Sequence, residues 1–211
     1  MTPSRIKGLY AITPDLEDTA KLHTLVEASL QGGASLIQYR NKTASNQLRK
    51  AQVMDLLSLC RSHQVPLIIN DHFDLCMETD ADGLHVGSDD YAAGELARLK
   101  VALGEQKILG VSCYNRLELA QQAAAQAADY VAFGSCFDSG TKPAAVRAPL
   151  ELFSQARETL DIPAVAIGGI TLANARQAMK AGAAAIAVIN ALFSANDITG
   201  TARQFSKIFN E

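Results

Sequence analysis

The sequence has no stretch rich in proline, glycine and serine that would read as a linker, so the usual mark of a boundary between two folding units is missing. With 211 residues, of which 48% are hydrophobic, the chain can bury one sizeable core, and a single domain over 1–211 is expected. An excess of charge of one sign is also missing. The 19 Lys and Arg against 22 Asp and Glu give a net charge of -3 and lie spread along the chain. That balance leaves no electrostatic footprint for nucleic acid or an anionic membrane, and favours small-molecule chemistry. Long apolar runs are absent too. The basic start, Met1 to Lys7, is followed only by Gly8 to Thr13, too short for a signal segment or a membrane span. A soluble, cytoplasmic protein is expected. The cysteines Cys60, Cys76, Cys113 and Cys136 lie far apart with no C-x-x-C pair, which signals neither a zinc site nor a disulfide framework. They read as reduced thiols in or near the core. The sequence leaves the oligomeric state open, a homo-oligomer included.

What is present is a rhythm. Short apolar runs recur at Gly8 to Thr13, Leu36 to Arg40, Pro66 to Asn70, Gly83 to Gly87, Lys107 to Cys113, Tyr130 to Cys136, Pro163 to Gly169 and Ala184 to Asn190. Between them lie segments with helical spacing, such as Ala44 to His63, Arg116 to Ala127 and Leu150 to Leu160. Near-continuous apolar strands indicate a parallel sheet covered on its faces, and βα units of about 26 residues fit a small (β/α)8 barrel of the TIM type. A doubly wound open sheet is the alternative. No G-x-G-x-x-G follows the first strand, where Ala11-Ile12-Thr13-Pro14-Asp15 stands instead.

The polar residues cluster at strand carboxyl ends, where barrel enzymes place their sites. Alternation puts Gln38 and Arg40 on one face of the second strand, with Lys42 continuing that line. An arginine fork and a lysine point charge suit a diphosphate, although an exposed basic strand end would read the same way. Strands three and four bring Asp71, after Asn70, and Asp90 to one rim. Paired oxygen ligands beside a diphosphate are the usual way to hold Mg2+, and caps on the following helices are the plain alternative. After strand six, Ser139, Thr141 and Lys142 lie in a loop long enough to form a lid over the barrel mouth, or an ordinary surface connection. The glycine pair Gly168-Gly169 and the end of strand eight, Ile189-Asn190, fit the common barrel phosphate site. Gly168-Gly169 could instead only relieve crowding.

Other residues carry less. His85 reads as a packed core histidine rather than a base, His72 as a helix-start residue, and His23 and His63 as helix surface. Ser112 ends strand five without an obvious His or Asp partner, which argues against a nucleophilic serine.

In this order the motifs resemble the thiamine-phosphate synthase family across nearly the whole chain. The resemblance rests on Gln38-x-Arg40-x-Lys42, Asn70-Asp71, His85-x-Gly87-x-x-Asp90, Gly110-Val111-Ser112, Thr141-Lys142-Pro143 and Ile167-Gly168-Gly169-Ile170-Thr171. It implies an alkyl transfer in which a thiazole nitrogen displaces diphosphate from a pyrimidine methylene. By that likeness Gln38, Tyr39, Arg40, Asn41, Lys42, Asn70, Ser112 and Lys142 hold the pyrimidine diphosphate. Arg40, Lys42, Ser112 and Lys142 are the catalytic set, and Asp71 and Asp90 hold Mg2+. Ser139, Gly140, Thr141, Gly169, Ile189 and Asn190 hold the thiazole phosphate.

The chain departs from the family pattern in places. Gly134-Ser135 replaces Gly-Pro, Asp138-Ser139 replaces Pro-Thr, Ser88 stands where Gln is frequent and Asn190 where Ser is common. These changes bear on the thiazole side more than on the diphosphate side. Two other functions remain to be weighed: a thiazole tautomerase on the same barrel, and a catalytically silent sensor of phosphorylated ligands. Retention of Gln38, Arg40, Lys42, Asp71 and Asp90 favours the two-substrate transfer.

Overall fold

In a computed structural model that describes residues 6–87, 91, 94–138 and 146–209, the strands close into a parallel barrel in sequence order, β1 to β8. They are β1 (Gly8–Ile12), β2 (Leu36–Tyr39), β3 (Leu67–Asn70), β4 (Gly83–Gly87), β5 (Ile108–Ser112), β6 (Tyr130–Phe133), β7 (Ala164–Ile167) and β8 (Ala185–Val188). The helices that follow them are α1 (Thr19–Gln31), α2 (Asn46–Ser62), α3 (Phe73–Thr79), α4 (Glu95–Leu103), α5 (Leu117–Ala125), α6 (Glu151–Thr159), α7 (Ala175–Ala181), α8 (Asn190–Phe193) and α9 (Ile198–Lys207). Local chemistry starts the longer ones: Asp18 accepts the Lys21 backbone N–H at 3.0 Å and Ser45 that of Leu48 at 3.2 Å. Among the described residues no helix is long and apolar enough to cross a membrane.

Side chains alternate across each strand, and the two faces have different fates. Leu9 and Ala11 of β1 pack outward with Ile37, Ile69, Val111 and Phe133 beneath the helices. Tyr10 and Ile12 point to the barrel axis with Leu36, Ile68, Tyr130, Val165 and Ala187. Register carries this inner parity around the ring: Ile12 opposes Gln38, Asn70 opposes His85, and Gly87 opposes Ser112. Polar residues on this parity therefore look into the barrel. One inner position must be glycine, because a Cβ on Gly110 would fall onto the Tyr130 ring that lies across the axis.

The three last strands end sooner than the apolar runs predict. β6 stops at Phe133, β7 at Ile167 and β8 at Val188. Beyond β7, Gly168 and Gly169 turn to φ of 95° and 64°, and beyond β8 the chain enters α8 at Asn190. The expected Gly-Gly and Ile189-Asn190 ends thus lie outside the strands, the first as a turn and the second as the N-cap and first residue of α8.

Candidate active site

A cavity of about 510 Å3 opens at the carboxyl ends of the strands. One side is made by β2 and its loop. Gln38, at 3% exposure, lies deep, while Arg40 and Lys42 follow the same line toward the mouth. The Arg40 backbone is clamped by Thr13, whose hydroxyl accepts the Arg40 N–H at 2.9 Å and donates to the Arg40 carbonyl at 3.0 Å. Arg40 Nη1 meets the Asp15 carboxylate at 3.3 Å, and the same carboxylate accepts the Lys42 backbone N–H at 2.8 Å. Arg49 of α2 completes the loop by donating to the carbonyls of Asn41 and Lys42.

Tyr39 and Asn41 take the opposite parity and do not reach the cavity. The Tyr39 hydroxyl donates to Gln52 Oε1 at 2.8 Å under α2, and burial raises its pKa to about 12. The Asn41 amide donates to the Leu16 carbonyl at 2.7 Å and accepts the Ala44 N–H at 3.1 Å. Both hold the loop that presents Arg40 and Lys42.

β3 delivers Asn70 and Asp71. Asp71 sits at φ 64°, its N–H bonded to the His85 carbonyl at 2.9 Å, and Asn70 Nδ2 donates to Asp71 Oδ2 at 2.6 Å. This carboxylate is not a helix cap: His72 stands at the N-cap of α3, which has no side-chain cap hydrogen bond. Burial and the nearby Arg49 hold the His72 pKa below its ordinary value, with Asp71 opposing them. Asp90 lies outside the described residues, as do Ser139, Gly140, Thr141 and Lys142. Among the described residues no group of three or more His, Cys, Asp or Glu gathers as a metal site.

The opposite side is formed by the segments after β6, β7 and β8. Ser135, Gly168, Gly169, Ile189 and Asn190 line it. A Cβ on Gly169 would meet the backbone of Phe137 and Asp138, so glycine serves packing as well as φ at this point.

The barrel floor holds a feature that sequence reading missed. Gln38 Nε2 donates to the Tyr10 hydroxyl at 2.9 Å, and Tyr10 meets the Tyr130 hydroxyl at 2.8 Å. Tyr130 meets His85 Nδ1 at 2.8 Å, and His85 Nε2 meets Ser112 Oγ at 2.8 Å. Ser112 therefore does have a histidine partner, contrary to expectation. No catalytic triad follows, because the second nitrogen of that histidine faces a phenol and not a carboxylate, and burial lowers its pKa to about 4. Burial pushes both phenols up, so the whole chain of groups stays neutral. Inward parity was the available signal for Tyr10 and Tyr130. Asp15 gave none, because its role depends on the β1 loop folding over β2.

A closed (β/α)8 barrel with Gln38, Arg40 and Lys42 lining a cavity at its carboxyl rim defines the class, a barrel with its polar groups where barrel enzymes place their sites. Comparison with known proteins narrows it. The sequence profile described as thiamine monophosphate synthase matches residues 9–192. The chain is 57% identical over 205 residues to the thiamine-phosphate synthase of Methylobacillus flagellatus, covering 97% of this chain and 96% of that one. It is 51% identical over 205 residues to that of Nitrosomonas eutropha, covering 97% and 95%. The solved structure of thiamine phosphate pyrophosphorylase from Pyrococcus furiosus superposes with a TM-score of 0.84 at 33% identity, covering 98% of this chain and 96% of that one. The chain belongs to the thiamine monophosphate synthase family, a family of transferases.

Proposed function

We propose that the cavity joins 4-amino-2-methyl-5-(diphosphooxymethyl)pyrimidine to hydroxyethyl-thiazole phosphate, yielding thiamine phosphate and diphosphate, with Mg2+ as cofactor. The observation that carries this reading is the meeting, around one cavity, of the Gln38, Arg40 and Lys42 line with the Gly169 turn and Asn190 on the opposite side. Such a cavity can hold two phosphorylated ligands with their reacting ends together.

The thiazole nitrogen gives its lone pair to the pyrimidine methylene carbon, a C–N bond forms, and the C–O bond breaks with its electron pair leaving on diphosphate. The amino-substituted ring stabilises positive charge on the methylene as the bond opens. No proton need move, so the protein mainly neutralises the leaving group and aligns the nucleophile. Arg40, Lys42 and Lys142 take the first task, and Gln38, Asn70 and Ser112 hold the pyrimidine and its diphosphate. Ser139, Gly140, Thr141, Gly169, Ile189 and Asn190 hold the thiazole phosphate. Tyr39 and Asn41 act by fixing the loop. A millionfold rate gain requires about 8 kcal/mol, within reach of such charge neutralisation combined with alignment.

The donor set fits a hard cation. Asp71 brings carboxylate oxygens to the cavity rim without being spent on a helix cap, and with Asp90 it would hold Mg2+. When bound, the ion would offset negative charge on the diphosphate. The substrates are small phosphorylated molecules, and the proposed compartment is the cytoplasm, in keeping with four buried cysteines that form no disulfide. The test is a two-substrate assay with and without Mg2+. Thiamine phosphate should form only with both substrates and metal, whereas isomerisation of a thiazole carboxylate in its place would assign the tautomerase reaction.

A further inference from the structure

The floor chain has one hydrogen more than its internal contacts consume. Tyr10, Tyr130, neutral His85 and Ser112 carry one hydrogen each on these atoms, and three contacts join them: Tyr10 to Tyr130, Tyr130 to His85 and His85 to Ser112. Gln38 Nε2 can only donate, so its bond to Tyr10 consumes none of the four. Two orderings satisfy every contact without stranding the hydrogen of the fully buried Tyr130. In one, Tyr10 donates to Tyr130, Tyr130 to His85 Nδ1 and His85 Nε2–H to Ser112, which leaves the Ser112 hydrogen to spare. In the other every link is reversed, and the spare hydrogen is that of Tyr10.

Both ends border the cavity, whereas Tyr130 in the middle is fully buried and does not line it. Tyr10 is only 1% exposed on the floor, while Ser112 is more open to an incoming ligand. We propose that His85 and Tyr130 are positioning residues which, through this ordered chain, hold the Ser112 hydroxyl as a hydrogen-bond donor to a ring-nitrogen acceptor of the bound pyrimidine. The inference rests on the pyrimidine diphosphate reading above. In either ordering the Gln38 amide nitrogen is engaged by Tyr10, which leaves Oε1 as an acceptor at the far end. The two ends then offer one donor and one acceptor to an aminopyrimidine, whose edge carries the complementary pair. A heterocycle with a ring N–H at the same place would need the reversed chain, which moves the spare hydrogen to Tyr10. Such chains act as a unit, since no link can reverse alone without setting two hydrogens or two lone pairs face to face, or stranding the buried Tyr130 hydrogen.

Two measurements test this. The first reads the tautomer by 15N NMR of the full chain in which the other histidines, His23, His63 and His72, are replaced by Gln. With pyrimidine diphosphate bound, His85 should carry its proton on Nε2, and a proton on Nδ1 overturns the proposal. The second is a double-mutant cycle on turnover. Tyr130→Phe removes the middle link without touching the cavity, and should raise KM for the pyrimidine diphosphate about tenfold while KM for the thiazole phosphate stays within about twofold. In a Ser112→Ala background the same change should have little further effect. Equal effects in both backgrounds would mean that Tyr130 acts only as packing, and would overturn the proposal. The tautomer measurement needs binding and no turnover. A protein that shows Nε2–H with ligand yet makes no thiamine phosphate would therefore sink the reaction and keep this inference, whereas failure to bind the pyrimidine diphosphate would sink both.

Discussion

Asp15 holds Arg40 at 3.3 Å, carboxylate to guanidinium, across the gap between the first loop and the second strand. With its second bond, to the Lys42 backbone N–H, this carboxylate fixes where both cations of the rim stand. Its side chain is 36% exposed, so the pair is worth little to stability. Its value is orientation. Asp15→Ala should change unfolding free energy by less than about 1 kcal/mol, yet raise KM for the pyrimidine diphosphate severalfold. Urea titration and steady-state kinetics on the same variant check both halves, and an unchanged KM would show that Arg40 and Lys42 need no such support.

The thiazole side makes a comparison between two glycines possible. Gly169 has φ 64° and a Cβ there would strike the backbone of Phe137 and Asp138, whereas Gly94, at the N-cap of α4, has a left-handed φ of 85° and open space. Gly94→Ala should cost about 1 kcal/mol from backbone strain alone. Gly169→Ala must also move backbone, should cost about 2–3 kcal/mol, and should weaken thiazole phosphate binding. Thermal melts and titration calorimetry of the two variants side by side decide this. Equal costs would contradict the close approach at Gly169.

Much of this was legible in the sequence, and the limits have physical causes. Each of the eight apolar runs contains a strand of the barrel, because parallel strands buried on both faces must be apolar along their length. The alternation that aims Gln38 and Arg40 inward also aims Tyr39 outward. The family motif covers that whole stretch, and a reading by parity would have left Tyr39 and Asn41 to the loop. Ser112 and His85 stand 27 residues apart, and Tyr10 and Tyr130 stand 120 apart. Contacts at such separation are set by barrel closure and leave no local signal. Expectations about Asp90 and the Ser139 to Lys142 loop fall outside the described residues.

Burial of His85 makes stability depend on pH. Its pKa is lowered from 6.5 to about 4 by desolvation, so between those values the unfolded chain binds the proton and the folded one does not. Stability from this group is complete above about pH 6.5 and is lost as pH falls toward 4, by roughly 3 kcal/mol, with no further change below. Urea unfolding at pH 7, 5 and 4 should show that loss in the wild type, and a smaller one in His85→Gln. Identical pH profiles would show that the imidazole is not held neutral by the fold.

The metal assignment makes a separate demand on Asp71. Asp71→Asn keeps the size of the side chain and its capacity to bond with Asn70, but removes the charge that would hold Mg2+. Turnover should fall by at least about tenfold while the melting temperature hardly moves. Adding excess chelator to the wild type should have the same effect. Full turnover in chelator would remove Mg2+ from the account.

The central claim is a division of the cavity, with cations for a diphosphate leaving group on one side and a separate phosphate site on the other. Arg40→Ala tests it most directly, because it removes a forked charge-assisted contact worth about 1.5–3 kcal/mol. Two quantities are to be measured together in wild type and variant: formation of thiamine phosphate from both substrates with Mg2+, and binding of the thiazole phosphate alone. The account predicts a fall in product formation of about tenfold to a hundredfold or more and thiazole phosphate binding that barely changes. Equal loss of both, or a variant as fast as wild type, would contradict it.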